Sequence, residues 1–257
     1  MRASTLLIAP AVALGAMAFT AGPAAAQDGV WVADLAPANN SGTAGTVMIE
    51  IRGQQATVRM NVLGAAEIWN GAPFPHGQHI HIGGQGVCPG PAADTDGDGV
   101  VSSAEGEPYA GAVSTALTTQ GDTSPASAVA TDRFPAGGAY TYERTLTLDP
   151  ATSEAIGAGT ATVEVHGVDP NKLPAAAREK MSPEAPSLPL AATLPAACGT
   201  VVASQMSGPM PDGAPDTGVE VRPQTDATAL SAAAGLGLLA AGGAAVALMR
   251  RRLASRD

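Results

Sequence analysis

Short runs in which hydrophobic and polar residues alternate recur along this chain of 257 residues. Because successive side chains of a β-strand point to opposite faces, such runs predict strands. Eight runs have this character, at residues 30–35, 46–52, 56–63, 78–82, 113–119, 139–148, 160–166 and 198–204. The second and third are predicted to pair as a hairpin, and helical periodicity is limited to a short stretch at 174–180. The sequence therefore predicts an all-β fold, a barrel or sandwich of about eight strands with long loops at 83–112 and 167–196.

Both ends of the chain predict export and attachment to the cell surface. Residues 1–26 combine Arg2, an apolar stretch and a small-residue cleavage pattern, which is typical of a signal peptide. Residues 229–249 are apolar and uncharged, long enough to cross a membrane as a helix. The arginine-rich tail at 250–257 predicts a cytoplasmic C-terminus. The domain at 27–206 and the linker at 207–228 are therefore expected outside the membrane.

The linker carries a short motif, which consists of Ala214, Pro215, Asp216, Thr217 and Gly218. It resembles a sortase sorting signal, Leu-Pro-x-Thr-Gly, except that Ala214 stands in place of leucine. The apolar stretch and the arginine cluster follow it in the order that such signals have. The resemblance implies cleavage after Thr217, with sortase and cell-wall peptidoglycan as partners. A plain membrane anchor at the C-terminus is the alternative.

The exported part of the chain is strongly acidic. Residues 28–217 contain 20 acidic and 7 basic residues, a formal charge of −13. Nucleic-acid binding needs lysine and arginine to neutralise phosphates, so this composition argues against a nucleic-acid partner. It fits a solvated surface domain or one that binds cations.

Three of the four histidines of the chain lie within six residues, and they point to metal chemistry. His79 and His81 flank one residue of a predicted strand and so share a face. Imidazole is the commonest metal ligand in proteins. His76 lies in a proline-rich loop and is predicted to be a surface residue rather than a ligand, and His166 follows far downstream.

An acidic segment in the first long loop fits the twelve-residue calcium loop of an EF-hand. Its oxygen ligands would come from Asp94, Asp96, Asp98, the carbonyl of Val100, Ser102 and Glu105. Gly99 would allow the sharp turn at the sixth position. Prolines on both sides predict that no helices flank it. The expected site is thus an isolated, structural calcium loop.

Cys88 and Cys198 are the only cysteines of the chain. In an exported protein an isolated pair predicts a disulfide, which here would close a long loop. A metal site built from thiolates is the alternative.

Taken in order, the His79–x–His81 strand, Cys88, His166 and the Ala197-Cys198-Gly199 sequence resemble the copper/zinc superoxide dismutase-like family. Related CHRD modules also carry a His-Ile-His strand. Over residues 28–206 the resemblance implies an eight-stranded Greek-key barrel. It also implies copper ligands at His79, His81 and His166, and a Cys88–Cys198 disulfide.

The sequence also departs from that family. No histidine lies between Cys88 and Tyr140, where the family's zinc ligands and bridging histidine occur, so no zinc site is expected. Asp122 alone resembles the zinc aspartate, and Pro195 stands where the enzymes have a guiding arginine. Arg178 and Lys180 are the cations of the nearby loop.

The predicted function is therefore a cell-surface, superoxide dismutase-like domain with a reduced copper site, possible superoxide removal and a calcium loop. One alternative is a non-catalytic CHRD-like structural or adhesive module, and another is a surface copper-binding protein.

Overall fold

The computed structural model of the chain describes residues 28–205. The predicted signal peptide, most of the linker, the sorting motif, the membrane helix and the basic tail lie outside these residues. Within 28–205 no helix is both long and apolar enough to cross a membrane.

Antiparallel strands make up most of the described domain. In chain order they are β1 (Gly29–Pro37), β2 (Ala44–Arg52), β3 (Gln55–Leu63), β4 (Ile68–Trp69), β5 (Ala72–Pro73), β6 (Gln78–Gly83), β7 (Gly111–Ala116), β8 (Ala139–Thr147), β9 (Thr162–His166), β10 (Pro195–Thr200) and β11 (Val202–Ala203). Nine of them form one sheet in the order β7-β6-β9-β10-β1-β2-β3-β8, with β11 paired to β1, while β4 and β5 pair separately. The all-β expectation is confirmed.

The large sheet curls, so that its two edge strands come close to one another. Tyr142 and Arg144 of β8 donate hydrogen bonds of 3.2 and 2.8 Å to the carbonyl oxygen of Thr118, which follows β7. The curl encloses one core, to which most of the long strands contribute alternate residues. Its large members include Trp31, Leu35, Val47, Ile49, Ile51, Val58, Met60, Val62, Ile80, Leu146, Val163 and Val165. The fold is thus barrel-like, and in the described residues side chains rather than a ladder of strand pairing link the edges β7 and β8.

The predicted hairpin is present as β2 and β3, with Ile49 opposite Val58 and Ile51 opposite Ala56. The last predicted strand is divided into β10 and β11, which pair with β1 in different parts of that strand. Because β10 and β11 both pair with β1, the apolar run that contains them was predicted from the sequence as a single strand.

Four short helices lie between the strands: α1 (Ser103–Ala110), α2 (Pro150–Ala158), α3 (Ala175–Arg178) and α4 (Leu190–Thr193). The expectation that no helix flanks the acidic loop is wrong, because α1 begins at Ser103, inside the last part of the loop, and continues beyond Glu105. Ser102 accepts a hydrogen bond from the Glu105 amide, and the Glu105 side chain accepts one from the Ser102 amide. This capping box stabilises the first turn of α1, although Pro108 lies inside the helix.

The two long loops pack against each other and form a second, smaller core. Its buried side chains are Val100, Val168, Leu173, Ala177, Leu190, Ala191, Leu194 and Ala196. The helical turns α3 and α4 belong to this core, where the sequence predicted one helix at 174–180. The loops are therefore ordered by apolar burial, and they form walls around the histidines.

Candidate metal centre

The histidine centre arises from the pairing of β6 with β9. His79 lies opposite Glu164 and His81 opposite Thr162 in the antiparallel register. Because side chains alternate, His79, His81, Glu164 and His166 all project from the same face. The ring centroids of His79 and His166 are 4.8 Å apart, and those of His81 and His166 are 5.8 Å apart. The structure thus brings together three histidines that are separated by up to 87 positions in the sequence, and they can hold a metal ion, with one ligand atom each within 4.8 Å of one another.

Each of the three imidazoles is oriented by a backbone carbonyl from a different segment. His79 Nε2 lies 2.9 Å from Ala128 O, His81 Nδ1 lies 3.0 Å from Gly111 O, and His166 Nδ1 lies 2.8 Å from Thr193 O. A carbonyl only accepts hydrogen bonds, so these nitrogens carry the ring protons. The opposite nitrogen of each neutral ring then presents a lone pair, the arrangement that metal-ligating histidines commonly have.

Those opposite nitrogens face the centre without hydrogen-bond partners. Within residues 28–205, the buried side-chain atoms that lack a partner are His79 Nδ1, His81 Nε2, His166 Nε2 and Glu164 Oε1. Buried polar atoms are nearly always satisfied in folded proteins, and each exception needs an explanation. The three imidazole nitrogens belong to residues whose ligand atoms lie within 4.8 Å of one another, so they fit a bound metal ion.

Burial also disfavours the protonated forms of His79 and His166. Desolvation lowers the pKa of His79 well below its ordinary value, and the neighbouring His166 and His81 rings lower it further. Desolvation likewise lowers the pKa of His166, although the Glu164 carboxylate opposes this shift. Neutral imidazole is the form that binds metals, so this environment favours metal binding at neutral pH.

Glu164 is a member of the centre that the sequence analysis did not select. Its side chain is only 2% exposed. Its Oε2 atom lies 3.5 Å from His81 Nε2 and 3.6 Å from His166 Nε2. The sequence did contain a sign of this role, because Glu164 stands between two valines of a predicted strand and two positions before His166.

His76 is buried rather than exposed, so the prediction of a surface residue is wrong. Its ring stacks on Phe74, with centroids 5.1 Å apart, and on Tyr140 at 5.8 Å. Both ring nitrogens lie 2.9 Å from carbonyl oxygens, those of His166 and Ala66. His76 is therefore not placed as a ligand, and it anchors the backbone of His166.

A cavity of about 100 Å³ opens onto His79, His81 and His166. Much of its wall is apolar, formed by Trp69, Val113, Val129, Phe134, Leu188 and Ala192. Glu184 is the one acidic residue among the described residues that line it, and lysine and arginine do not contribute to its lining. Arg178 instead donates to the carbonyls of Pro170 and Leu173. The cavity therefore admits a small molecule and has no cationic side chain to attract an anion.

The acidic loop gathers some, but not all, of its predicted calcium ligands. Ligand atoms of Asp94, Asp96 and Asp98 lie within 4.8 Å of one another. Lys180 Nζ contacts Asp96 and Asp98 at 2.6 and 2.8 Å. Burial is the largest single influence on the pKa of Glu105 and raises it, but the hydrogen bonds that Glu105 accepts from Ser102 and Thr95 together outweigh burial and lower the pKa to about 2. Calcium binding at this loop remains a prediction.

The predicted disulfide between Cys88 and Cys198 is present, with Cα atoms 5.7 Å apart. It joins the first long loop to β10, next to the strand that carries His166. Asp122 is engaged elsewhere, because its Oδ2 atom accepts 2.6 Å hydrogen bonds from Ser124 and Ser127.

Comparison with known proteins gives a likeness of fold alone. No protein-family model matches the sequence, and no curated protein matches it. Among solved structures, a mutant of Candida albicans superoxide dismutase 5 is 13% identical and covers 73% of this chain and 98% of its own, with a TM-score of 0.39. The copper(II) form of that protein is 12% identical and covers 72% of this chain and 97% of its own, with a TM-score of 0.40. We therefore base the function on the geometry of the histidine centre itself.

Proposed function

We propose that this chain is an exported, surface-attached metalloprotein that binds copper through His79, His81 and His166 and removes superoxide. The observation that carries the proposal is the set of three buried imidazole nitrogens that face one point without hydrogen-bond partners among the described residues. Three imidazoles suit copper and zinc. Dismutation of superoxide to dioxygen and hydrogen peroxide needs a metal with two accessible oxidation states, so copper is the ion that the activity requires.

The residues of the chain have distinct tasks in this proposal. Bound copper would supply the one-electron chemistry. Carbonyl acceptors hold each imidazole in one tautomer and orientation, which lowers the reorganisation that binding requires. The largely apolar cavity above the centre is small, so that only small molecules can reach the metal ligands. Export is supported by the disulfide, since such bonds persist in oxidising compartments.

A second candidate function is copper binding without turnover. The lining of the cavity favours this second function. It contains Glu184 but no lysine or arginine of the described region. A negative approach repels superoxide and slows its association. If superoxide removal does occur, we expect its second-order rate to rise with ionic strength as salt screens this repulsion, whereas a basic guiding surface gives the opposite trend.

The test compares the exported chain with His79→Ala and His166→Ala variants after copper loading. Copper content and superoxide consumption should both fall to background in these variants. Gln78→Ala is the matched control, because Gln78 is a buried polar residue of the same strand whose side chain bonds to Leu117 rather than facing the centre. If the unsubstituted chain binds copper but does not consume superoxide, only the copper-binding function is supported. Failure to bind any transition metal would contradict both and favour a structural or adhesive module.

A further inference from the structure

We propose that Glu164 is the fourth protein ligand of the histidine centre, which makes it a site of three nitrogens and one oxygen for divalent ions. This inference rests on the proposed three-histidine metal site and extends it. The oxygen ligand favours divalent copper, zinc, iron or manganese over monovalent copper, which prefers softer donors.

The position of Glu164 in the sheet supports this role. It lies on β9 directly opposite His79 and two residues before His166, so it shares their face. Thr162, the next residue on that face, lies opposite His81 and is also buried. Glu164 therefore projects from the strand face that carries the three imidazoles, close to His81 and His166.

The contacts of the Glu164 carboxylate also support a role as a metal ligand. Glu164 Oε2 is 3.5 Å from His81 Nε2 and 3.6 Å from His166 Nε2, too far for good hydrogen bonds. Glu164 Oε1 has no hydrogen-bond partner among residues 28–205. Glu164 thus places a carboxylate beside the unpartnered nitrogens of His81 and His166, two of the three histidines that can hold one ion.

The charge of this group gives an independent reason. A buried carboxylate is costly unless a cation accompanies it. In the described part of the chain, the ion pairs of Glu164 involve only His81 and His166, and no lysine or arginine. A divalent ion supplies the missing positive charge without protonating a ligand.

The closing experiment measures zinc affinity of the full exported chain by calorimetry, because zinc tests the ligand set without redox chemistry. Glu164→Gln should weaken zinc binding by at least about 100-fold, because loss of an outer-sphere partner already costs about 10–100-fold and Glu164 is proposed as a direct ligand. Glu184→Gln is the matched control. It removes the same charge beside the same cavity, but Glu184 bonds to the Ala104 amide and the Ser182 hydroxyl, so its affinity should stay within a few-fold of the original.

The outcomes separate this inference from the function on which it rests. If the unsubstituted chain binds neither zinc nor copper, the three-histidine site is wrong and Glu164 has no role as a ligand. If it binds zinc and the two glutamine variants are equal, only the role of Glu164 is wrong. A crystal structure of the zinc-loaded chain gives a second readout, with a zinc–oxygen distance of about 2.0–2.2 Å expected. A distance beyond about 3 Å would overturn the inference, and the shorter Glu164→Asp variant serves if Glu164→Gln does not fold.

Discussion

Replacing Glu164 by glutamine should make the metal-free protein more stable, although the same change weakens metal binding. In the metal-free chain Glu164 Oε1 is buried and unpaired among the described residues. A buried acceptor without a partner costs about 1–3 kcal/mol, and a charged one costs more. Glutamine removes the charge. Its amide also offers an N–H donor that a small movement would bring to the free lone pair of His81 or His166, since these nitrogens lie 3.5 and 3.6 Å from Oε2.

We therefore expect Glu164→Gln to raise the unfolding free energy of the metal-free chain by about 1–3 kcal/mol. With a urea m-value of about 2 kcal/mol/M, the midpoint should rise by roughly 0.5–1.5 M. The assay is urea unfolding in chelator at about pH 8, where the ordinary imidazole is neutral. Zinc should then reverse or cancel the order, since a 100-fold difference in affinity is worth about 2.7 kcal/mol at saturation.

A fall in the urea midpoint of the metal-free Glu164→Gln variant would contradict this prediction. If Glu164 is already compensated by a protonated histidine, the substitution breaks a buried ion pair. That loss typically costs about 3–5 kcal/mol, so the midpoint would fall instead of rising. An unchanged midpoint would likewise show that the carboxylate carries no unsatisfied charge in the metal-free state.

Three further predictions follow from other parts of the structure. Changing Cys88 and Cys198 together to serine should cost about 4–5 kcal/mol in urea unfolding, because the disulfide closes a loop of 110 residues; a loss below about 1 kcal/mol would contradict this. Burial lowers the pKa of His79 and His166, so the unfolded metal-free chain binds more protons below about pH 6.5, and stability should fall by up to about 1.4 kcal/mol per pH unit for each histidine. A urea midpoint that is flat between about pH 7.5 and 5.5 would speak against these shifts. Lys180→Met should strengthen calcium binding, because it frees two carboxylates of the acidic loop. The measurement is the thermal unfolding midpoint with and without calcium. If calcium leaves the midpoint unchanged in both the original chain and the variant, the prediction of a calcium site is wrong.

Much of the strand framework could be predicted because one face of each long strand is buried. In β2, Val47, Ile49 and Ile51 face the core, and the period of two in the sequence records this directly. The strand β9 differs, because all five of its residues are buried. Loops cover its outer face, so periodicity alone did not reveal that Glu164 lies inside the protein.

The helices could not be recognised from hydrophobic periodicity, because α1 and α2 have no strong apolar stripe. Their ends carried the signals instead. Ser102 and Glu105 form a capping box, yet their spacing also fits positions nine and twelve of a calcium loop. Asp149 and Pro150 begin α2, and Gly159 ends it in a left-handed conformation. These residues mark helix boundaries that a search for amphipathic patterns overlooks.

The two clusters that can hold metal differ in how far their ligand atoms are already satisfied. In the acidic loop, Asp94 accepts hydrogen bonds from the amides of Gly97 and Gly99. Lys180 neutralises the neighbouring carboxylates, of which Asp96 is exposed to solvent. That loop is therefore stable without an ion, and calcium must compete with contacts that already exist.

The histidine centre has the opposite character. Its four buried atoms have no hydrogen-bond partner within residues 28–205. The backbone carbonyls that orient the rings also prevent the free nitrogens from turning toward other partners without breaking good hydrogen bonds. A bound cation would therefore recover the free energy that unpartnered buried atoms cost at this centre. For this reason the stability of the chain should depend on a transition metal more strongly than on calcium, although the acidic loop has the more complete sequence motif.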